Sequence, residues 1–274
     1  MRSIGRGWLV LPSLVYLSLL FLIPTGIALG FSFLARDYQG GVRSEISWEA
    51  WRQAADTITL RTLLRTLVLA SVVTLADLAI GYPCAAALAR LTRGWRQLMV
   101  FAFCFPLVTS LLLRTYGWMN LLPESWLGTL PGVALVLAFN YLPFVVLPLL
   151  RAFERADPSL HWAALDLGAT PWQAFWRVTW PITRGAMWAG AALVFIPVMG
   201  EYLVPHFIGE GQVNLLGTVI WKEFDRRNWP YAAACSAWLI GLVAVAVVFP
   251  AARAVAARLL AGRRLESSEA RNGV

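Results

Sequence analysis

The chain has 274 residues, 59% of them hydrophobic and 14% charged, where an ordinary soluble domain carries about 25% charged residues. That composition excludes a soluble globular chain, and the net charge of +8 has to be accounted for by a basic face beside a membrane rather than by nucleic acid. Lys222 is the only lysine and follows "TVIW", which excludes a phosphate-binding P-loop on this chain. The two histidines form no HExxH pair, and no Gly-x-Ser-x-Gly elbow is present.

In chain order the apolar runs predict six membrane-spanning helices, at about 8–34, 66–90, 97–120, 131–151, 184–206 and 231–253. Each reaches the roughly 20 residues needed to cross the hydrocarbon core at 1.5 Å per residue. Alternating barrel strands do not give such unbroken runs. The first run follows Arg2 and Arg6 like a signal peptide, but it far exceeds the 7–15 apolar residues of a signal core, so a retained helix is expected. The segment 36–60 mixes Arg36, Asp37, Arg43, Glu45, Glu49, Arg52 and Asp56 and is expected to hold a short surface helix. Span two contains Asp77. The "TLPG" of 129–132 turns into span four. Pro197, Gly200 and Pro205 around Glu201 predict a broken helix of the kind that lines a cavity. In 207–229 the apolar "LLGTVIW" is expected to fold back as a short helix or re-entrant segment, and the tail after Arg253 to be frayed. Cys84, Cys104 and Cys235 fall in or beside spans, so no disulfide framework is expected. With the N-terminus inside, the inner segments carry 14 basic residues and the outer segments eight, which predicts both termini in the cytoplasm.

Between spans four and five lies a polar segment, about 152–183, containing "HWAALDLGATPWQAFWRVTWPI". Asp157-Pro158 signals a helix start, cap then proline. Leu160, Ala163, Ala164 and Leu167 recur at helical spacing on one apolar face, and Gly168 is placed to end the helix. Thr170-Pro171 starts a second helix, expected to run to Trp180 before Pro181. The whole reads as a helix–Gly–helix elbow with a small-residue ridge. An amphipathic helix lying on lipid headgroups explains the same pattern.

"WAALDLGATPWQAFWRVTWPITRGAMWAG" resembles the EAA loop of inner-membrane permeases of ABC importers. The match falls on Ala163, Ala164, Gly168, Val178 and Pro181, with Asp166, Leu167, Ala169 and Phe175 fitting the looser positions. Trp162 stands where that family has its Glu, so the polar contact made there is not expected on this chain, and aromatic packing is the expected replacement. "SLLLRTYGWMNLL" and "VFIPVMGEYLVPHFIGEGQVNLLGTVIWKEFDRRNWPYAAA" resemble the polyamine (spermidine/putrescine) permease branch, and within it most the putrescine type. The resemblance implies an all-α integral membrane protein with the six helices of a type I ABC importer permease, and one permease domain over 1–274. It implies that the elbow couples to a cytoplasmic ATPase through Ala163, Ala164, Asp166, Leu167, Gly168, Ala169 and Pro181. Implied partners are a second homologous permease, two ATPase subunits holding the ATP and magnesium, and a periplasmic substrate-binding protein, at a bacterial inner membrane. No cofactor or metal is expected on this chain, and it is expected to be a transporter subunit rather than an enzyme. An importer of another small nitrogenous solute, such as an opine, and a membrane enzyme or scaffold are the competing readings.

Four residues are candidates for the substrate path. Asp77 lies roughly 18 Å along its helix from Arg65, near the bilayer centre, where an ionisable group is costly and calls for a function or a partner. Glu201 and Arg114 both reach the outer interface and are expected either to pair or to contact substrate. Of the rings at Tyr116, Trp118, Tyr141 and Tyr202, Trp118 and Tyr202 are the ones expected to meet a cationic amine, although interfacial belts explain most of the 14 tryptophans.

Overall fold

A computed structural model describes residues 5–245 of the chain. Its contacts gather into two units: one made of the N-terminal stretch to Ala54 with the stretch from Glu223 onward, the other of Ala55–Lys222.

The first unit begins with α1 (Gly5–Phe31), whose apolar stretch Pro12–Phe31 is long enough to span a membrane and buries none of its residues within the chain. A hairpin follows: β1 (Leu34–Arg36) pairs antiparallel with β2 (Val42–Ile46), with Ala35 opposite Arg43 and an irregularity after Leu34. This hairpin was not expected. Its strands are short and polar, too short for a period-two pattern to register, and the turn between them passes through Gly40 and Gly41, both at positive φ. The expected surface helix is present as α2 (Glu49–Ala54), opened by the Ser47 hydroxyl accepting from the Glu49 N–H at 3.2 Å. The same unit contains the apolar helix Trp229–Val245. The expected sixth span, 231–253, begins inside it; its end and the tail after Arg253 lie outside the described residues.

The second unit is built on three long helices. These are α3 (Thr57–Ala89), α6 (Leu130–Arg155), and a continuous 30-residue helix, Pro171–Gly200, made of α8 (Pro171–Ala174), a π-helical turn (Phe175–Thr179) and α9 (Trp180–Gly200). Their buried residues recur at helical spacing: Leu69, Val73, Asp77 and Gly81 on α3, Val133, Val136, Leu137 and Asn140 on α6, and Gly190, Val194 and Val198 on α9. Small residues set the spacing. A Cβ on Gly81 would meet Val145 Cγ1 at 2.8 Å, and one on Gly190 would meet the Val145 backbone at 3.2 Å, so all three helices converge at Val145.

Two expectations are corrected here. The third span, 97–120, is not one rod: α4 (Arg93–Val108) and α5 (Leu111–Leu121) meet at a 99° bend. Pro106 removes one donor from the last turn of α4, and Thr109 and Ser110 adopt extended backbone. The second correction concerns Pro181, which does not end its helix. The π turn before it widens the backbone by one residue, with the Trp180 N–H donating to the Phe175 carbonyl, and the helix continues through the proline. The non-helical part of the polar segment is therefore short, because α6 runs to Arg155 and helix resumes at Pro158.

Candidate functional site: an elbow and a broken span

The elbow is made by sequence-local hydrogen bonds. The carboxylate of Asp157 caps α7 (Pro158–Asp166) by accepting from the Ser159 N–H at 2.9 Å. Those bonds to Ser159 hold the carboxyl of this exposed residue below the usual carboxylate range. At the other end, the Gly168 N–H donates to the Leu165 carbonyl at 2.9 Å and the Ala169 N–H to the Ala164 carbonyl at 3.0 Å. This is the paired closure that needs a left-handed residue between its two bonds, and Gly168 sits at φ +86°. Two residues later Thr170 and Gln173 form a reciprocal box: the Gln173 N–H donates to Thr170 Oγ1, and the Thr170 N–H to Gln173 Oε1.

With its backbone satisfied internally, the elbow presents apolar side chains outward. Leu160, Trp162 and Leu167 are exposed, Leu167 at 90%, and Ala163 is exposed beside them. Ala164 and Ala169 are half-buried, and Asp166 is exposed. Pro181 is exposed on the following helix, away from the Gly168 turn. Nothing lies within 4 Å of where a Gly168 Cβ would be, so this glycine answers to its φ and not to crowding.

At the other end of the same long helix, α9 stops at Gly200 and α10 (Leu203–Ile208) begins at once. Glu201 fills the gap. Its Oε2 accepts from the Tyr141 hydroxyl at 2.8 Å and its Oε1 from the Leu203 N–H at 2.9 Å, which makes it a cap and a cross-link to α6. The pairing of Glu201 with Arg114 is not formed; the Nε and Nη1 of Arg114 are buried without a hydrogen-bond partner. Tyr202 stacks on Trp221 at 5.9 Å with planes 11° apart, and His206 lies 4.7 Å from the same indole. Trp221 belongs to α11 (Leu216–Asp225), the short helix expected in the apolar "LLGTVIW". Trp118 packs edge-on against Phe139 at 5.1 Å.

Asp77 lies deeper. It is 1% exposed, and among the described residues nothing hydrogen-bonds to either of its oxygens. Asn140, also buried, has its amide oxygen and nitrogen unpaired. The groove lined by Arg61–Ile80 of α3 and Leu130–Ala138 of α6, together with the Gly81–Val145 contact, shows that these helices run the same way. About one turn back from that contact lie Asp77 on one helix and Asn140 on the other. The groove itself, of about 750 Å³, is apolar and contains none of the candidate path residues. The structure thus joins Tyr202 and Glu201 at one break, and among the described residues no hydrogen bond or ring contact ties Asp77 or Trp118 to it.

Sequence reasoning missed Asn140, Trp221 and His206 as members of these polar and aromatic groups. Asn140 had a readable signal, an amide in an uncharged run, whereas Trp221 and His206 meet Tyr202 only through the fold.

A family model for the binding-protein-dependent transport system inner membrane component matches residues 77–260. The chain is 35% identical over 249 residues to the spermidine/putrescine transport system permease protein PotB of Escherichia coli (strain K12), covering 84% of this chain and 88% of that protein. It is 34% identical to PotB of Haemophilus influenzae, covering 82% and 86%, and 30% identical to the inner membrane ABC transporter permease protein YdcU of Escherichia coli, covering 78% of each. Its backbone matches a chain of a bacterial ABC transporter that imports the acidic polysaccharide alginate, with TM-score 0.63 over 93% of this chain and 97% of that one. A second crystal structure, with alginate pentasaccharide-bound periplasmic protein, gives TM-score 0.66 over 90% and 94%. At 18% identity these two likenesses bear on the fold alone.

Proposed function

Because this chain belongs to the family of binding-protein-dependent transport system inner membrane components, we propose that it is the permease subunit of an ATP-driven ABC importer that carries a polyamine such as putrescine or spermidine inward. The observation that carries the substrate class is the 35% identity to PotB over 84% of the chain. The chemistry fits a cation. Glu201 and Asp77 supply carboxylates, and Tyr202, exposed on one side and stacked on Trp221, supplies a π-face, with Trp118 as a further ring. The polar level formed by Asp77 and Asn140 is what a cation meets if the spans part during transport.

The elbow is the ATPase contact in this reading. Its exposed Leu160, Ala163 and Leu167 form the face that docks, Gly168 sets the turn, and Asp166 lies at the rim. Hydrolysis and its magnesium belong to two partner ATPase subunits, since the single lysine of this chain is bonded to Asn214 at 2.8 Å and follows no Gly-rich loop. A second homologous permease and a periplasmic binding protein complete the importer in a bacterial inner membrane. Both termini and the elbow face the cytoplasm, with 36–60 and 207–229 outside.

The test is uptake by the complete importer in proteoliposomes, with its binding protein outside, ATP inside, and a panel of labelled diamines, triamines, opines and amino acids. ATP-dependent accumulation of putrescine or spermidine is expected. Accumulation of an opine or amino acid and no polyamine would overturn the substrate assignment. Reporter fusions after Arg155 and after Gly211 should report opposite sides of the membrane, and the same side for both rules out the orientation.

A further inference from the structure

The π turn Phe175–Thr179 sits where the elbow becomes a span, immediately before Pro181. A proline inside a helix removes a donor and crowds the carbonyl four residues back. One wider turn relieves that crowding at the cost of regular bonding, and such turns concentrate at hinges and functional sites. Two other helices reach this turn, and a third reaches the residue that grips it. From α7, His161 Nδ1 lies 3.4 Å from Thr179 Oγ1, at its last residue. From α3, the Tyr82 ring meets Phe175 edge-on at 5.9 Å, at its first residue. Phe153 of α6 also meets the Tyr82 ring edge-on, at 5.4 Å.

Tyr82 makes a second contact past the turn. Its hydroxyl lies 2.8 Å from Oγ1 of Thr183, a residue with no exposed surface. Thr183 donates its own proton to the Thr179 carbonyl at 2.9 Å, so Tyr82 is the donor to Thr183. The ring therefore grips the start of the turn while the hydroxyl grips the helix just beyond its end. Phe175 is also stacked on Trp172 of α8 at 6.0 Å. A push on the elbow can pass from Trp172 through Phe175 to Tyr82.

We propose that Tyr82 is a positioning residue that clamps the π turn, so that displacement of the elbow moves α3 together with α9 and does not dissipate as local unwinding at Pro181. This rests on the reading of the elbow as the ATPase contact. A merely structural tyrosine stabilises the fold, and its loss lowers ATP hydrolysis and uptake together. A clamp governs how much substrate moves per ATP.

The experiment uses the complete importer with its binding protein and measures three quantities on each preparation: ATPase subunits co-purified, ATP hydrolysed, and polyamine taken up. Tyr82→Phe keeps both ring contacts and removes only the hydrogen bond, and Thr183→Val removes it from the other side. Each is expected to retain the ATPases and lower uptake per ATP about fivefold, the scale of one net hydrogen bond. The double variant should be no worse than Thr183→Val, which removes the same contact and, in addition, the bond to the Thr179 carbonyl. Phe175→Leu should uncouple further, and Phe175→Tyr should recover most of the loss. Unchanged uptake per ATP in Tyr82→Phe and Thr183→Val, or a proportional fall in hydrolysis and uptake, overturns the clamp. The docking reading is checked separately in Leu167→Asp: if that substitution leaves the ATPases bound as before, the elbow is not their contact, and the clamp proposal falls with it.

Discussion

The chain interrupts its long helix, Pro171–Gly200, at both ends, and the two interruptions are built by opposite means. At the elbow the caps and turns are closed locally: Asp157 to Ser159, Gly168 to Leu165, Ala169 to Ala164, Thr170 to Gln173. At the break after Gly200 one local cap, the Leu203 N–H on Glu201, is joined by bonds from afar. Tyr141 of α6 reaches Glu201, and the Thr66 hydroxyl of α3 accepts from the Leu216 N–H at 2.9 Å. Local closure leaves the outer side chains unclaimed, which is why Leu160, Trp162 and Leu167 face outward. Long-range closure consumes the side chains it uses and fixes the helices to each other. One end is built as a surface for another molecule, and the other as a joint within this one.

If that contrast holds, the largest effect follows from forcing the elbow's left-handed residue. Gly168→Val has room for its side chain but not for its φ, which disfavours ordinary residues by about 1–2 kcal/mol and β-branched ones by more. Uptake by the complete importer should fall about tenfold or more, with loss of co-purified ATPase and normal insertion. Gly168→Asn should retain much more, because Asn enters this region readily. Equal loss in both variants would mean that bulk, not backbone, is what the elbow cannot accept. Tyr141→Phe comes next and tests the joint. It leaves a buried Glu201 oxygen without its donor, which costs about 1–3 kcal/mol. Thermal unfolding in detergent should register this as a lower Tm with ATPase binding unaffected, the reverse of the Gly168→Val pattern.

The elbow was legible in the sequence because its determinants lie within a few residues of each other. Asp157-Pro158, Gly168 and Thr170-Pro171 each signal their own structure, and all three are found in those roles. The broken helix at Glu201 was legible for the same reason, from Pro197, Gly200 and Pro205. Its partner was not. Arg114 lies at the right depth, but depth along a helix says nothing of the direction a side chain faces, and Tyr141 occupies the position. The bend at Thr109–Ser110 and the hairpin at 34–46 escaped because neither interrupts the apolar and charged runs on which spans are read. The π turn is the clearest case: Pro181 alone reads as a stop, and only the widened turn before it turns that stop into a continuation.

Asp77 sharpens the comparison from the middle of the bundle, where the expected sign is opposite. An acidic group buried without partners destabilises the fold that holds it. Asp77→Asn removes the charge while keeping the shape and should raise stability by about 1 kcal/mol, read as a higher Tm. If the carboxylate is kept for a cation, the same variant should lower uptake of a diamine more than that of a monoamine. A higher Tm with unchanged selectivity would leave Asp77 a cost without a role in charge recognition, and a lower Tm would show that it has a stabilising partner in the assembled importer.

The smallest effect is expected where closure is most local. Thr170→Ala removes the hydroxyl half of the capping box on α8 but leaves Pro171 at the first helical position and the Thr170 N–H to Gln173. The cost is about 0.5–1 kcal/mol, since an exposed N–H released from its cap finds water. Thr170→Ser should recover nearly all of it. Because the 30-residue helix Pro171–Gly200, roughly 45 Å long, separates Thr170 from the joint at Glu201, Thr170→Ala and Tyr141→Phe should add in a double variant to within about 0.5 kcal/mol. A larger interaction would mean that the two interruptions are coupled through α9, and that the elbow is not the self-contained device its hydrogen bonds describe. Additivity in stability together with non-additivity in uptake per ATP would place that coupling in the transport cycle and leave the resting fold as two independent closures.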